Sequence, residues 1–212
     1  SNSKITYSNI RSDWYLVWRF SKVAFPFVIV YMVFQGVMLL TAALDSMEVA
    51  FSKEVLHLTD AAYGSLVSIA GIGFLMGSIC TNIIVKYSTA KQMMCSGTTF
   101  VAIGYVIYSF STTYMMASIG CFILACFLSL ANTGFMTFIQ EDIPIDMMGR
   151  ISSLYGMVAH TIQLFVVLIM GLAAQWFSIQ EVVISGSILM LIVAFLLIVI
   201  VTRLAASKIA IG

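Results

Sequence analysis

Two acidic residues, Asp45 and Glu48, lie three positions apart at the end of a long apolar stretch. On a helix this spacing puts both side chains on one face. Two carboxylates held so close do not ionise independently, which suits a site that takes up and releases a proton. A solvated helix end would carry the same pair without that role. Both interpretations stay open, and we select the pair as the candidate proton-coupling site.

Four further polar residues lie within apolar stretches: Gln35, Asn132, His160 and Gln163. A polar side chain among apolar groups needs a hydrogen-bond partner, so each is expected to face other parts of the protein. The imidazole of His160 titrates near neutral pH, and Gln163 lies one turn further along the same helical face. Such residues either bind a neighbouring helix or line a cavity. We predict that all four contact a substrate.

The elements that carry these residues are six long apolar segments. The chain of 212 residues is 61% hydrophobic and 9% charged, whereas soluble domains carry about 25% charged residues. Each segment is about as long as the roughly 20 residues that a helix needs to cross a bilayer. The segments cover residues 23–46, 63–85, 93–110, 114–138, 153–176 and 182–204. We therefore predict an all-α membrane protein with six transmembrane helices.

The positions of the segments also predict the domain organisation. Residues 1–22 would form a cytoplasmic linker, residues 23–204 the transmembrane bundle, and residues 205–212 a cytoplasmic tail. With the N-terminus in the cytoplasm, every lysine and arginine except Lys53 falls on the cytoplasmic side. The positive-inside rule therefore predicts that both termini are cytoplasmic.

The six segments form two similar sets of three. Segments one and four, two and five, and three and six start about 90 residues apart, which indicates an internal repeat. In each set we expect a long first connection, at residues 47–62 and 139–152, and a short second one. Because three is odd, the second set enters the membrane from the opposite side. Two inverted three-helix repeats are typical of one half of a twelve-helix secondary transporter.

The second apolar segment is rich in glycine. Gly73 and Gly77 form a G-x-x-x-G pattern, which lets two membrane helices approach closely. The glycines of this segment do not have the spacing of a nucleotide-binding loop, and they do not follow a soluble strand. We predict that they pack against another helix.

A charged stretch separates the fourth and fifth segments. It reads F-I-Q-E-D-I-P-I-D-M-M-G-R-I-S-S-L-Y-G over residues 138–156. Pro144 lacks a backbone N–H and disfavours a helical conformation in the residue before it, so a helix should end there. A new helix is expected to start near Ser152, after Gly149 and Arg150. The pattern predicts a loop at a membrane surface.

The spacing of this stretch resembles the loop between the tenth and eleventh helices of the major facilitator superfamily. The resemblance is greatest to the branch that holds macrolide and drug exporters and a catecholate-siderophore exporter. The matching positions are Gln140, Ile143, Pro144, Gly149, Arg150, Ser153 and Tyr155. We assign the motif loop to four of them: Gln140, Pro144, Gly149 and Arg150.

The resemblance implies a function and a set of partners. The chain would be the C-terminal six-helix half of a transporter in a bacterial plasma membrane. It would export an amphipathic small molecule, macrolide-like, drug-like or siderophore-like, in exchange for protons by alternating access. Its partners would be the lipid bilayer, the substrate, protons and a missing N-terminal six-helix half.

Other classes of function find little support in the sequence. It contains no H-E-x-x-H or G-x-S-x-G motif, no C-x-x-C pair and no acidic pair in a metal-ligand context. We therefore expect no enzyme, no metal site and no cofactor. A net charge of +1 offers no basic surface for nucleic acid. The alternative function is a non-transporting membrane scaffold or assembly subunit that dimerises as a six-helix bundle.

Overall fold

The computed structural model describes residues 25–143 and 145–209, and over these ranges it consists of six helices with short connections. In chain order they are α1 (Phe25–Glu54), α2 (Asp60–Ile84), α3 (Ala90–Ser109), α4 (Tyr114–Asp142), α5 (Ile145–Trp176) and α6 (Ile179–Ile209). The linker predicted over residues 1–22 lies outside the described residues. Helix α6 continues into the segment that was assigned to the tail.

Of the six helices in the described residues, five are long and apolar enough to cross a membrane. The exception is α3, which has 20 residues but carries Lys91, Gln92 and Ser96 in its first two turns. Gln92 and Ser96 are exposed, and each makes a hydrogen bond with the backbone of its own helix start. The predicted all-helical architecture is confirmed, and five of the six predicted transmembrane helices have the length and hydropathy of a membrane span.

The predicted end of the first helix is wrong. Helix α1 continues to Glu54, so only residues 55–59 remain of the connection expected at 47–62. Lys53 and Asp60 form an ion pair of 2.8 Å across this turn. Hydropathy marks the part of a helix that lies in lipid, whereas backbone hydrogen bonds extend the helix through the polar residues that follow.

The charged stretch between α4 and α5 is mostly helical and not the long loop predicted at residues 139–152. Helix α4 continues to Asp142, and α5 begins at Ile145 instead of near Ser152. Gly149 therefore lies within the first turns of α5. A helix break does fall beside Pro144, as predicted, although Pro144 itself lies outside the described residues.

Side-chain caps fix where several helices begin. Thr59, Thr89 and Thr113 each precede a helix in an extended conformation and accept a hydrogen bond from a backbone N–H of its first turn. The side chain of Gln92 also accepts a 3.0 Å hydrogen bond from the N–H of Thr89, which completes a capping box at α3. These caps satisfy N–H groups that lack a partner within the helix.

The helices enclose two buried clusters, one towards each end of the bundle. We call the end at Phe25 the proximal end and the end at Glu54 the distal end. Helix α4 packs against α2 and α3, α1 packs against α5 and α6, and α3 contacts α6. The distal core includes Phe51 and Leu66, and the proximal core includes Phe138.

Glycines bring α2 and α4 into backbone contact. A Cβ atom on Gly73 would lie 2.7 Å from the carbonyl oxygen of Phe122, and one on Gly77 would overlap the carbonyl group of Cys126. The close contact predicted from the G-x-x-x-G pattern is thus confirmed. A side chain at either position has to push the two helices apart.

We expect Gly77→Val to destabilise the bundle by about 1–3 kcal/mol or more, because the added methyl groups collide with the backbone of α4. Gly71→Val is the matched control, since a Cβ atom on Gly71 meets nothing within 4 Å. Thermal unfolding of both purified variants in detergent measures the difference. An unfolding temperature of Gly77→Val equal to that of the parent would contradict the described α2–α4 contact.

Candidate functional site

A cavity of about 370 Å³ lies in the proximal half of the bundle, between α1, α4 and α5. Gln35, Asn132 and His160 contribute polar side chains to its lining, one from each of these helices. Gln140, from the predicted motif loop, lines it as well. The structure therefore brings together three of the four residues predicted to contact a substrate, although they are far apart in the sequence.

Gln163, the fourth predicted residue, contacts His160 and is not part of the described cavity lining. Nδ1 of His160 lies 3.2 Å from Oε1 of Gln163. Because an amide oxygen only accepts hydrogen bonds, Nδ1 carries the proton of this bond. Gln163 thus orients His160 instead of lining the cavity.

Aromatic rings form one wall of this proximal cavity. Tyr31, Phe34 and Phe135 belong to its lining. The rings of Phe34 and Phe135 are stacked, with centroids 4.0 Å apart and planes inclined by 13°. The ring centroid of Tyr31 lies 5.1 Å from those of both Phe135 and Tyr155. Helices α1, α4 and α5 therefore meet through aromatic contacts, which make a stiff apolar surface.

The rest of the cavity lining is largely apolar, with Met38, Met136, Met148 and Ile139. Among the described residues that line it there is no Asp, Glu, Lys or Arg. The cavity can hold an amphipathic molecule by ring stacking and apolar contact, with amides and an imidazole as its hydrogen-bonding groups.

A second polar cluster lies in the distal half, where side chains of α1 meet those of α3. Asp45 and Glu48 line a small cavity of about 30 Å³, as their shared helical face predicts. Tyr105 donates a hydrogen bond to Oδ1 of Asp45. Tyr108 donates one of 3.3 Å to the backbone oxygen of Glu48, and its hydroxyl lies 3.2 Å from Oγ of Ser52. A cavity of this size has room for a water molecule.

Tyr105 and Tyr108 are not among the site residues predicted from the sequence. They are spaced i,i+3 on α3, as the two carboxylates are on α1, and this matched spacing is the signal that could have identified them. Both tyrosines are buried. A buried hydroxyl needs a hydrogen-bond partner, and Asp45 and Glu48 provide one for each.

The predicted motif loop is described in part. Gln140 is exposed and lines the proximal cavity. Gly149 is exposed in α5, and a Cβ atom there would meet nothing within 4 Å. Pro144 and the side chain of Arg150 lie outside the described residues. Gln140 is therefore the motif position that the structure connects with the cavity.

The cysteines and acidic residues do not form a metal centre in the described ranges. No group of three or more His, Cys, Asp or Glu side chains there is placed to hold a metal ion. Cys80, Cys95, Cys121 and Cys126 are free thiols, and Cys121 is buried in the distal core. A buried cysteine of this kind acts as a small apolar side chain between helices.

Apolar helices that enclose a cavity with a few polar side chains are found in membrane transporters. The family model of the Major Facilitator Superfamily matches residues 2–165, which is well over half of the chain. The chain therefore belongs to the major facilitator superfamily, and it is an integral membrane protein of a family of transporters. Comparison with curated proteins and with solved structures gave no match.

We expect Tyr105→Phe and Asp45→Asn to be coupled by about 0.5–1.5 kcal/mol in a double-mutant cycle, because Tyr105 donates a hydrogen bond to Asp45 that an amide oxygen replaces only in part. Thermal unfolding of the purified single and double variants gives this coupling. Tyr87→Phe paired with Asp45→Asn is the control, since Tyr87 is 84% exposed. Effects of Tyr105→Phe and Asp45→Asn that simply add would contradict the hydrogen bond.

Proposed function

We propose that the chain is the C-terminal six-helix half of a twelve-helix secondary transporter, which exports an amphipathic small molecule in exchange for protons by alternating access. The observation that carries this proposal is the proximal cavity. Gln35, Asn132 and His160 come from three helices and lie in one cavity beside an aromatic wall. Such a lining suits a ligand with both apolar and hydrogen-bonding parts.

The pairing of the helices supports two inverted three-helix repeats. Two repeats make α1 equivalent to α4, α2 to α5, and α3 to α6. The α3–α4 pair then corresponds to the α6–α1 pair, and the α2–α4 pair to the α5–α1 pair. The α3–α6 pair maps onto itself. These five pairs make the main helix contacts in the described part of the chain. Helices α1 and α4 are equivalent in this arrangement, and both line the proximal cavity.

The two helices at the second position of each repeat leave large apolar surfaces uncovered. Leu75 and Ile79 on α2, and Leu168 and Leu172 on α5, are each more than half exposed. In the proposed transporter an N-terminal six-helix half packs on α2 and α5 and completes the substrate site. In the alternative function, a membrane scaffold, a second copy of the chain would cover the same surfaces.

The chemistry of the cavity suits the uncharged parts of a macrolide-like, drug-like or siderophore-like substrate. A volume of about 370 Å³ is at the lower end of the range for ligand pockets, so the cavity would enclose one portion of such a molecule. The described lining has no Lys or Arg to neutralise a carboxylate. It therefore favours neutral or weakly basic portions of the substrate over acidic ones.

The distal cluster supports a role for Asp45 and Glu48 in proton coupling. Asp45 on α1 accepts a hydrogen bond from Tyr105 on α3, and Glu48 lines the same small cavity. Proton uptake by either carboxyl group removes a negative charge and changes the hydrogen bonding between α1 and α3. Because α1 also carries Gln35, one helix connects this cluster with the proximal cavity.

We expect Gln35→Ala and Asn132→Ala, each in the full-length protein, to raise the KM for an amphipathic dye about threefold to tenfold, which corresponds to the loss of one hydrogen bond. Efflux of dye and macrolide panels from cells, with and without a proton uncoupler, measures the effect. Gln175→Ala is the control, since Gln175 is an exposed amide near the distal end of α5. The substrate assignment fails if both variants keep the parent KM.

We expect Asp45→Asn and Glu48→Gln to abolish substrate transport driven by a pH gradient in proteoliposomes, because an amide cannot take up and release the coupled proton. Exchange of labelled for unlabelled substrate at equal pH should persist in both variants. Glu54→Gln is the control, an exposed carboxylate at the end of α1. Unaltered pH-driven flux in Asp45→Asn and Glu48→Gln would remove the pair from the mechanism.

A further inference from the structure

A crevice of about 520 Å³ lies between α5 and α6 towards the distal end of the bundle. None of its lining residues lines the proximal cavity or the small cavity of the distal cluster. Its floor includes the buried residues Met170 and Val182. Its rim includes Ile169 and Leu189, which are 63% and 49% exposed. The α5–α6 crevice is therefore an apolar space that opens to the outside of the bundle.

The crevice exists because α5 and α6 are neighbours in the chain but touch little. Residues 177 and 178 connect the two helices, while α5 packs mainly on α1. Small residues stand on the facing surfaces, at Ala173, Ser185 and Gly186. An unfilled apolar space forfeits dispersion contacts, and in a bilayer the nearest group that can fill it is a lipid acyl chain.

Glu181 is the single ionisable residue in the described lining of the α5–α6 crevice, and it is exposed. Its Oε2 accepts a 3.1 Å hydrogen bond from the N–H of Ser178, and its own N–H donates to Oγ of Ser178 at 3.2 Å. This reciprocal capping fixes the carboxylate at the start of α6. Trp176 and Phe177, beside it, are 82% and 63% exposed, as is typical of aromatic residues at a membrane interface.

We propose that the α5–α6 crevice binds an acyl chain of a phospholipid whose headgroup carries a primary ammonium, as in phosphatidylethanolamine. The acyl chain lies along the apolar floor, and the ammonium group pairs with Glu181 at the mouth. Charge decides between headgroups, because the carboxylate attracts an ammonium group and repels an anionic headgroup. The hydrogen bond to Ser178 uses one carboxylate oxygen and leaves the other to the headgroup.

The test uses the full-length protein in vesicles of phosphatidylethanolamine and phosphatidylglycerol. The vesicles carry a trace of one of these two lipids with a photoactivatable diazirine on its acyl chain. After irradiation, mass spectrometry quantifies the labelled peptides. We expect phosphatidylethanolamine to label residues 166–177 and 181–189 about twofold to fivefold more than phosphatidylglycerol, the ratio expected for one exposed ion pair. At Phe195, which is 66% exposed and outside the crevice, both lipids should label equally.

Two variants separate the headgroup contact from the acyl-chain contact. Glu181→Gln removes the charge but keeps an amide oxygen that can accept from the N–H of Ser178, so the helix start is preserved. It should bring the labelling ratio of the two lipids to about one. Ala173→Trp should lower labelling of the crevice by both lipids, because the indole fills the space. Leu196→Trp is its control, at an exposed position of α6 outside the crevice.

Three results would overturn the proposal. The first is equal labelling of the crevice by both lipids in the parent protein. The second is a preference for phosphatidylethanolamine that survives Glu181→Gln. The third is a crevice that stays unlabelled while Phe195 is labelled, which would mean that protein, and not lipid, covers it. If Ala173→Trp does not fold, the labelling ratio of the two lipids in Glu181→Gln still tests the contact between Glu181 and the headgroup.

Discussion

Backbone contact between α4 and its two neighbours is the interaction on which the rest of the bundle depends. Gly73 and Gly77 of α2 meet the backbone of α4 on one side, and Gly97 and Gly104 of α3 meet it on another. At such distances many atoms of the helices gain dispersion contacts at once, which is the main attraction between helices in lipid. Helices α2, α3 and α4 therefore form a rigid unit, and Asn132 is presented to the proximal cavity from it.

The two polar clusters of the molecule share one helix. Gln35 lies in the proximal cavity and Asp45 in the distal cluster, both on α1. Ten residues of helix separate them, which is about 15 Å along the axis. A rigid helix that touches both sites transmits a tilt at one end to the other. In the proposed transporter this geometry lets a proton bound at the distal cluster change the substrate cavity without any direct contact between the two.

Local patterns predicted which residues face inward, and they predicted less about what those residues touch. Hydropathy revealed the helices, and i,i+3 spacing placed Asp45 and Glu48 on a common face, since both signals lie within one helix. Partners on distant segments were missed: Tyr105 for Asp45, and the aromatic wall beside Gln35. The predicted helices were too short because backbone hydrogen bonds continue a helix beyond its apolar residues. Membership of the superfamily was predicted from a short motif around Pro144, and the match over residues 2–165 confirms it.

Helices α2, α3 and α4 pack more closely on one another than α1, α5 and α6 do. The glycines of α2 and α3 that pack against α4 meet backbone atoms, whereas Gly36, Gly171 and Gly186 meet only side chains. The looser contacts all involve α1, α5 and α6. The proximal cavity and the α5–α6 crevice both lie along α5, one towards each end of this helix. A symmetric and tight bundle would have room for neither. The binding spaces of this chain thus lie beside α5 and α6, whose glycines meet side chains or open space and not the backbone of another helix.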